Sequence, residues 1–400
     1  MSGSLAGQPW LNDPATVRVM DALEAAGGAD CARFVGGCVR NSLVGRPVDD
    51  IDIATRLKPD QTMAALKAAG IKCVPTGLAH GTVTAVADRK PFEITTLRRD
   101  VETDGRHAVV AFTDDWGEDA RRRDFRLNAL YADRSGLIFD PTAGGLEDAL
   151  AGRVVFVGDP HQRIEEDHLR ILRFFRFFAW YGRSEPDPGS LKACAGHADS
   201  LSRLSAERVS RELLKLLGAP DPRPSVVAMR GAGVLERLLP AVPDLSAFEA
   251  LVDLTEDPVL RLSALLPDDP DEVARTASAL RLPRAIEFRL AAAAQGPLDP
   301  QTLPPALRAL IYRAGAETVR DRLLRGQASS GVSAGDGLAL VASWSPPRMP
   351  VGGREVARLG IPPGPDTGRI LTAFEEEWIA ADFPDAGHDE RLRRLARQPI

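Results

Sequence analysis

Residues 34–55, FVGGCVRNSLVGRPVDDIDIAT, are the most informative segment for the architecture of the amino-terminal part of the chain. A short strand ends in Gly36 and Gly37, and the residues that follow, CVRNSLVG, favour a helix. Because glycine has no side chain, the backbone N–H groups of such a turn are accessible, and a strand-to-helix turn of this kind can hold a phosphate group. A tight turn that simply requires glycine explains the pair about equally well, so the two glycines do not decide between these interpretations.

Two carboxylates follow the turn. Alternation along DDIDIAT places Asp50 and Asp52 on one face of a strand and Ile51 and Ile53 on the other. For an arbitrary Asp-Ile-Asp sequence, a solvated strand face over a core of isoleucines is the commoner explanation. Neighbouring carboxylates repel each other, however, and a divalent cation turns that repulsion into binding. Because Mg²⁺ prefers a few carboxylates together with substrate phosphates, the pair beside a Gly-Gly turn predicts a nucleoside triphosphate site.

Two further segments carry candidate site residues. Glu93 lies among alternating apolar positions in KPFEITTLRRD and is a candidate third carboxylate of a metal cluster, although an exposed strand residue paired with an arginine fits the pattern equally well. In RRRDFRLNAL, residues 121–130, three arginines precede Asp124 and Asn128, which are neighbours on one face if the segment is helical. The polar stretch before them, residues 100–120, is predicted to be a mobile loop.

The segment RIEEDHLRILRFFRFFAWYG, residues 163–182, is predicted to be one buried helix, since its apolar residues cover nearly the whole circumference. Charged side chains on such a helix need partners. Asp167 and Arg170 can simply pair with each other, or, with Arg173, can offer acceptors and donors to the edge of a nucleobase. Arg176 lies nearly opposite Asp167 on a continuous helix, which favours contact with phosphate or RNA.

The rest of the chain divides into a mixed part and a helical part. Between about residues 30 and 150, short β-branched runs such as GTVTAVAD and FEITTLR predict a sheet, crossed by a helix at PDQTMAALKAAG, residues 59–70. After residue 160, Ala/Leu/Arg segments separated by Pro and Gly predict helices only. One of them, residues 204–217, carries an apolar stripe and is predicted to be capped by Ser205.

Composition and charge narrow the class of protein. The chain has 400 residues, more than a single hydrophobic core usually contains, so two or more domains are expected. Its content of 44% hydrophobic residues excludes global disorder. The net charge of -6 argues against a protein that coats nucleic acid nonspecifically. The four cysteines suggest neither a zinc knuckle nor a disulfide framework. No secretory signal or membrane-spanning run is evident, and we expect a cytoplasmic protein.

Taken in order, seven motifs resemble one family. GGCVRN, DDIDIAT, FEITTLRRD, RRDFRLNAL, FDPTAGGLEDALAGRVVFVGDP, EEDHLRILRFFRF and LSAERVSREL are similar to motifs of the class II nucleotidyltransferases, the bacterial CCA-adding enzymes and their poly(A) polymerase relatives. The resemblance is specific over about residues 30–220, and residues 352–378 also resemble the RNA-holding domain at the carboxy terminus of these enzymes. Two departures are Asn41, where Asp is common, and His168, where Pro is common. No fused HD phosphohydrolase domain is indicated.

The resemblance implies an α+β fold, in which a mixed-sheet head domain of the nucleotidyltransferase (DNA polymerase β-like) type precedes an all-α neck, body and tail. The implied bounds are 1–150 for the catalytic head, 151–225 for a neck that binds nucleobase and RNA, 226–330 for the body and 331–400 for the tRNA-binding tail. The mobile loop of the family matches residues 97–120, which supports addition of a final A rather than C alone.

The resemblance also implies roles for site residues. Asp50 and Asp52 would hold two catalytic metal ions, expected to be Mg²⁺, with Glu93 as a further catalytic carboxylate. Asp167 and Arg170, with Arg173 and Arg176 behind them, would form the protein template that selects C and then A. The residues expected to bind the nucleotide, from its phosphates to its base, are Gly36, Gly37, Arg40, Arg123, Asp124, Asn128, Asp167, Arg170, Arg173 and Arg176.

The implied reaction is attack of the tRNA 3′-hydroxyl on the α-phosphate of CTP or ATP, so that the terminal CCA is added or repaired without a nucleic-acid template. Poly(A) polymerase or an A-adding enzyme is the alternative within the family. Poly(A) polymerases usually carry a basic tail for general RNA, whereas this sequence ends HDERLRRLARQPI and is acidic overall, which favours tRNA. A noncatalytic RNA-binding protein is the alternative outside it, and the intact Asp50 and Asp52 weigh against that. The expected partners are the tRNA 3′ end, CTP and ATP, with no membrane; the oligomeric state stays open.

Overall fold

The computed structural model describes residues 4–103 and 108–397, and for residues 100–103 and 108–110 only the backbone. The chain forms two compact units, Met1–Pro240 and Ala241–Ile400. The first contains the sheet and several helices, and the second is helical throughout its described part, as the sequence predicts. The finer division expected at residues 150, 225 and 330 stays a prediction.

A mixed sheet forms the centre of the amino-terminal part of the first unit. Its seven strands lie in the order β3-β4-β5-β2-β1-β8-β9, and only β2 and β5 pair in parallel. A separate antiparallel hairpin joins β6 and β7. The strands are β1 (Ala32–Val35), β2 (Ile51–Thr55), β3 (Lys72–Gly77), β4 (Thr82–Ala87), β5 (Lys90–Thr96), β6 (Arg98–Thr103), β7 (Ala108–Phe112), β8 (Tyr131–Ala132) and β9 (Ile138–Phe139).

The helices of the first unit surround and follow this sheet. They are α1 (Pro14–Gly27), α2 (Gly37–Leu43), α3 (Pro59–Ala68), α4 (Trp116–Arg121), α5 (Gly145–Ala151), α6 (Pro160–Glu166), α7 (Arg170–Tyr181), α8 (Pro188–Gly196), α9 (Ala206–Leu217), α10 (Arg223–Gly231) and α11 (Leu235–Leu238). The predicted helix at residues 59–70 is confirmed as α3, with Pro at its first position and Asp60 in its first turn.

Two apolar clusters fix the sheet in place. Leu23 of α1, Leu66 of α3 and Val83 of β4 are fully buried where these three elements pack together. A second cluster joins Trp116 of α4 and Tyr131 of β8 with small residues of β1 and β2. This second cluster holds α4, and therefore the arginines that follow it, against the strands that carry the predicted site.

The stretch predicted to be a mobile loop contains regular secondary structure, since it carries most of the β6–β7 hairpin and of α4; residues 104–107 lie outside the described part, and its mobility stays a prediction. The structure corrects two other local predictions. Asp124 and Asn128 are not on one α-helix, since only a 3-10 turn, Arg126–Asn128, follows Asp124. Ser205 stands at the N-cap position of α9 but makes no capping hydrogen bond with its side chain.

The prediction of one continuous helix over residues 163–182 is also wrong. The helix is interrupted at residues 167–169, between α6 and α7. Asp167 adopts an extended conformation, with φ -153° and ψ 105°. Its carboxylate accepts a hydrogen bond from the backbone N–H of Leu169 at 3.1 Å. Aspartate commonly bonds to the backbone two residues further on, and this local turn replaces the helical hydrogen bonds that would continue α6.

The second unit contains ten helices in its described part. They are α12 (Ser246–Val252), α13 (Pro258–Ser263), α14 (Pro270–Ala279), α15 (Arg284–Ala293), α16 (Pro304–Ala314), α17 (Ala316–Ser330), α18 (Gly335–Ser343), α19 (Gly353–Ala357), α20 (Pro365–Ala380) and α21 (His388–Ala396). Phe374 and Trp378 of α20 pack with Leu392 and Leu395 of α21. Among the described residues, no helix has both the length and the apolar character that a membrane span requires.

Candidate functional site

The Gly-Gly turn predicted from the sequence lies between β1 and α2. Gly36 has a φ of +69°, in the left-handed region where a side chain is strained, so this position favours glycine. A Cβ atom built on Gly36 would lie 3.7 Å from an Nη1 atom of Arg123, and one on Gly37 would lie 3.9 Å from Nη2 of Arg40. The turn therefore lies beside two guanidinium groups, and two positive charges next to a glycine turn are a setting for an anionic ligand.

Three carboxylates lie at one end of the parallel strand pair. Asp52 of β2 stands opposite Glu93 of β5 in the register, and strands in a sheet lie roughly 4.8 Å apart. Asp50 immediately precedes β2 and is exposed to solvent. Burial, together with the negative charges of Glu93 and Asp50, raises the pKa of Asp52 to about 6. The crossover through α3, β3 and β4 thus brings together carboxylates that are 41 positions apart in sequence (93 minus 52).

These carboxylates fit a hard divalent cation. Within the described ranges, no three His, Cys, Asp or Glu side chains form a preassembled metal cluster. Asp50, Asp52 and Glu93 nevertheless offer only oxygen ligands, and their mutual repulsion is what a cation would relieve. An open set of carboxylates that leaves room for water and phosphate is the arrangement Mg²⁺ prefers.

Arg40, on α2, is held beside the turn by neutral side chains. Its guanidinium donates to the Asn128 amide oxygen, to the Tyr181 hydroxyl at 2.8 Å and to the Asn41 amide oxygen at 3.1 Å. Only 8% of Arg40 is exposed, and burial lowers its pKa. The positive charges of Arg123 and Arg40 favour the ionised form of Asp52, so both guanidinium groups act on this carboxylate.

Asp124 links this group to α7. Its carboxylate accepts from the Asn128 amide at 2.9 Å and from Nε of Arg173 at 2.8 Å. Burial opposes ionisation of Asp124, but Arg173 and Asn128 outweigh it and hold the pKa of that carboxyl well below its usual range. The predicted neighbours Asp124 and Asn128 are therefore in contact, although the element that joins them is a turn and not an α-helix.

Asp119 is a site residue that the sequence reasoning missed. It is 1% exposed and pairs with Nε of Arg122 at 2.8 Å and Nη2 of Arg123 at 3.1 Å, and it accepts from the Tyr131 hydroxyl at 2.7 Å. Burial opposes ionisation, but the two arginines and Tyr131 lower its pKa to about 2. The four-residue step from Asp119 to Arg123 was the available signal, but it lay in the stretch interpreted as a loop.

The predicted template residues have separate partners. Asp167 pairs with Nη2 of Arg208 at 2.8 Å, whereas Nη1 of Arg170 donates to Glu166 at 2.6 Å. One interpretation of their spacing was that Asp167 and Arg170 pair with each other. The structure shows that each has a different partner instead. Nη2 of Arg170 lies 3.5 Å from the backbone carbonyl oxygen of Arg122. The start of α7 therefore contacts the segment that carries Arg122 and Arg123.

Arg173 and Arg176 diverge along α7. Arg173 joins the Asp124 group, and Arg176 donates to Glu212 of α9 at 2.6 Å. Arg176 is thus bound to a neighbouring helix, and its contact with phosphate or RNA stays a prediction. The sequence analysis did not find three of these partners: Glu212 of Arg176, Arg208 of Asp167 and Tyr181 of Arg40. The two members of each pair are separated by between 36 and 141 positions, and no local spacing rule applies over such distances.

Comparison with known proteins adds independent findings. Residues 32–155 match the family model described as the Poly A polymerase head domain, and residues 185–245 match one described as a probable RNA and SrmB-binding site of polymerase A. The first match spans the Gly36–Gly37 turn, the three strand-end carboxylates, Asp124 and Asn128, but not α7 with Arg173.

Relatives extend the similarity over most of the chain. It is 35% identical to the CCA tRNA nucleotidyltransferase 1, mitochondrial, of Homo sapiens, over 88% of this chain and 83% of that protein. It is 30% identical to a CCA-adding enzyme of Levilactobacillus brevis, over 92% and 94%. The crystal structure of the Bacillus stearothermophilus CCA-adding enzyme in complex with CTP aligns with a TM-score of 0.72 and 27% identity, covering 95% of this chain and 98% of that one.

Proposed function

The chain belongs to the family of CCA-adding enzymes and poly(A) polymerases, and on that premise we propose that it is a nucleotidyltransferase that adds or repairs the 3′-terminal CCA of tRNA from CTP and ATP. The observation that carries this proposal is the juxtaposition of Asp52 and Glu93 with the Gly36 turn and the Arg40 and Arg123 guanidinium groups. Two relatives that align with this chain over most of their length are named as a CCA tRNA nucleotidyltransferase and a CCA-adding enzyme, which supports tRNA as the substrate.

The proposed roles follow from the chemistry of each group. Asp50 and Asp52, with Glu93 beside them, would hold Mg²⁺, which when bound neutralises charge on the reacting phosphate and favours an ionised 3′-hydroxyl. Arg40 and Arg123, which lie beside the Gly36–Gly37 turn, would bind the oxygens of the triphosphate. The 3′ oxygen forms a bond to the α-phosphorus while the bond to the pyrophosphate oxygen breaks.

Base selection is assigned to Asp167 and Arg170. Cytosine and adenine both carry an exocyclic amino group next to an unprotonated ring nitrogen, whereas uracil and guanine present a carbonyl next to a ring N–H. A carboxylate accepts from the amino group and a guanidinium donates to the ring nitrogen, so this pair favours C and A over U and G. Arg208 and Glu166 fix the two side chains, which supports a rigid template.

A poly(A) or A-adding activity is the second candidate, since both matching family models are named for polymerase A. One experiment separates the candidates. The purified protein is incubated with Mg²⁺ and tRNA lacking its 3′ end, with CTP and ATP supplied singly and together, and the products are sequenced. CCA ends support the proposal; A-only or poly(A) ends favour the second candidate, and no product favours a noncatalytic RNA-binding protein.

Two coarser features are part of the same proposal. The head at 1–150, neck at 151–225, body at 226–330 and tail at 331–400 are the proposed functional divisions, with the tail contacting tRNA. We expect a cytoplasmic location, and note that one relative is named as a mitochondrial protein. Fractionation of the native cells and antibody detection of this chain test the location directly.

A further inference from the structure

Arg40 is an unusual buried cation. Only 8% of it is exposed, and it donates four hydrogen bonds, all to the neutral side chains of Asn41, Asn128 and Tyr181. In the described part of the chain, no carboxylate hydrogen-bonds to it, and the negative charges of Asp124 and Asp52 act on it only through space. A buried charge without a carboxylate in direct contact is incompletely compensated, and a bound anion improves that compensation. The guanidinium is therefore held in place but keeps its charge for a ligand.

Tyr181, the last residue of α7, contributes most to holding Arg40 from outside the head sheet. Its hydroxyl accepts from Nη2 of Arg40 at 2.8 Å and donates to the Asn41 amide oxygen at 2.9 Å. Its ring lies 4.2 Å from the Arg40 guanidinium carbon and stacks on Phe177, with ring centroids 5.8 Å apart. One side chain thus combines a hydrogen bond and a cation–π contact on the same guanidinium.

We infer that Tyr181 is a positioning residue that aims Arg40 at the phosphates of the incoming nucleotide. The inference rests on the proposed function, because it assumes that Arg40 binds those phosphates. Tyrosine suits this task because its hydroxyl fixes the guanidinium without neutralising it, as a carboxylate at the same place would. The contact also joins the end of α7 to α2, so the helix that begins with the base-reading Arg170 ends by orienting a phosphate ligand.

The effect expected from this role is general to nucleotides. Phosphates are common to CTP and ATP, so loss of the Tyr181 hydroxyl weakens both equally and leaves the choice between bases unchanged. Tyr181→Phe removes one hydrogen bond to a charged group, and Arg40 keeps its other partners, so the loss is moderate. We expect Tyr181→Phe to raise KM and the dissociation constant of each nucleotide about tenfold, with kcat changed less than about twofold.

The experiment measures binding of CTP and ATP to the full chain with Mg²⁺ but without tRNA, where no turnover occurs, and incorporation into tRNA lacking its 3′ end. Tyr181→Phe keeps the ring and its stacking on Phe177, and thermal melting establishes that each variant is folded at the assay temperature. Asn41→Ala, which removes the other partner of the hydroxyl, is a second variant expected to weaken both nucleotides. Tyr312→Phe is the matched control, because it removes a hydroxyl that donates to Glu375 at 2.6 Å in the other unit.

A double-mutant cycle with Arg40→Ala separates positioning from general destabilisation. If Tyr181 acts through Arg40, adding Tyr181→Phe to Arg40→Ala changes nucleotide binding by less than about twofold. An equal effect of Tyr181→Phe in both backgrounds overturns the inference, as does wild-type binding by the single variant. If the wild-type protein itself neither binds nor incorporates CTP and ATP, the proposed function fails, and that outcome is distinct from failure of the positioning role.

Discussion

Replacing Asp52 by Asn is the sharpest test of the carboxylate site, because it should stabilise the folded protein while abolishing nucleotide incorporation. Burial and the charges of Glu93 and Asp50 raise the Asp52 pKa from its ordinary 3.8 to about 6. At neutral pH that difference corresponds to about 3 kcal/mol of unfavourable free energy in the folded state. Partial exposure screens the charge, so we expect Asp52→Asn to stabilise by about 1–2 kcal/mol, or about 2–8 °C in Tm.

The sign of the pH dependence follows from the raised pKa. Above about pH 6, Asp52 is ionised in both the folded and the unfolded chain, and the folded state carries the whole repulsion. Between pH 6 and 3.8 the folded state holds its proton more tightly, so its stability increases as the pH falls. The advantage of the Asn variant over the wild type is therefore largest above pH 6 and disappears below about pH 4.

The assay compares thermal unfolding of the first unit at pH 7.5, 6 and 4.5 in EDTA, followed by CMP incorporation in Mg²⁺. Asp60→Asn is the control, because Asp60 is an exposed carboxylate in the first turn of α3, where its charge is mildly favourable. A lower Tm for Asp52→Asn would refute the repulsion argument and indicate a structural carboxylate. Unchanged incorporation by the variant would refute the assignment of Asp52 as a metal ligand.

Three further predictions rest on single contacts. Asp167→Ala should increase the misincorporation of UMP and GMP relative to CMP and AMP, measured with each nucleotide alone, and unchanged selectivity would remove Asp167 from the template. Asp119→Asn should destabilise by about 3 kcal/mol, since it leaves Arg122 and Arg123 without their carboxylate; denaturant unfolding measures this, and a change below 1 kcal/mol would contradict it. Ser205→Ala should lower the free energy of unfolding by less than about 0.5 kcal/mol, because the Ser205 side chain makes no capping hydrogen bond. Loss of a functioning N-cap usually costs about 1 kcal/mol. A loss of that size in the same denaturant assay would show that Ser205 caps α9 in solution.

The strands and helices near the site were predictable where local pattern and local structure agree. The Gly36–Gly37 turn, the strand carrying Asp52 and helix α3 each follow from alternation, helical spacing or turn chemistry within a dozen residues. Prediction failed where a local polar contact overrode the periodic pattern. The apolar residues of 163–182 fit one helix, but the Asp167 carboxylate bonds to the backbone at Leu169 and ends α6.

The amino-acid sequence already shows which chemical groups are available, because carboxylates, arginines and glycines occur at spacings that predict local turns, strands and helices. The folded arrangement shows which of these groups are in contact. Asp52 faces Glu93 through the parallel pairing of β2 with β5, and Arg40 contacts Tyr181 across 141 positions of sequence. Such contacts depend on how whole elements pack, and local spacing predicts the buried face of an element but not which distant element covers it.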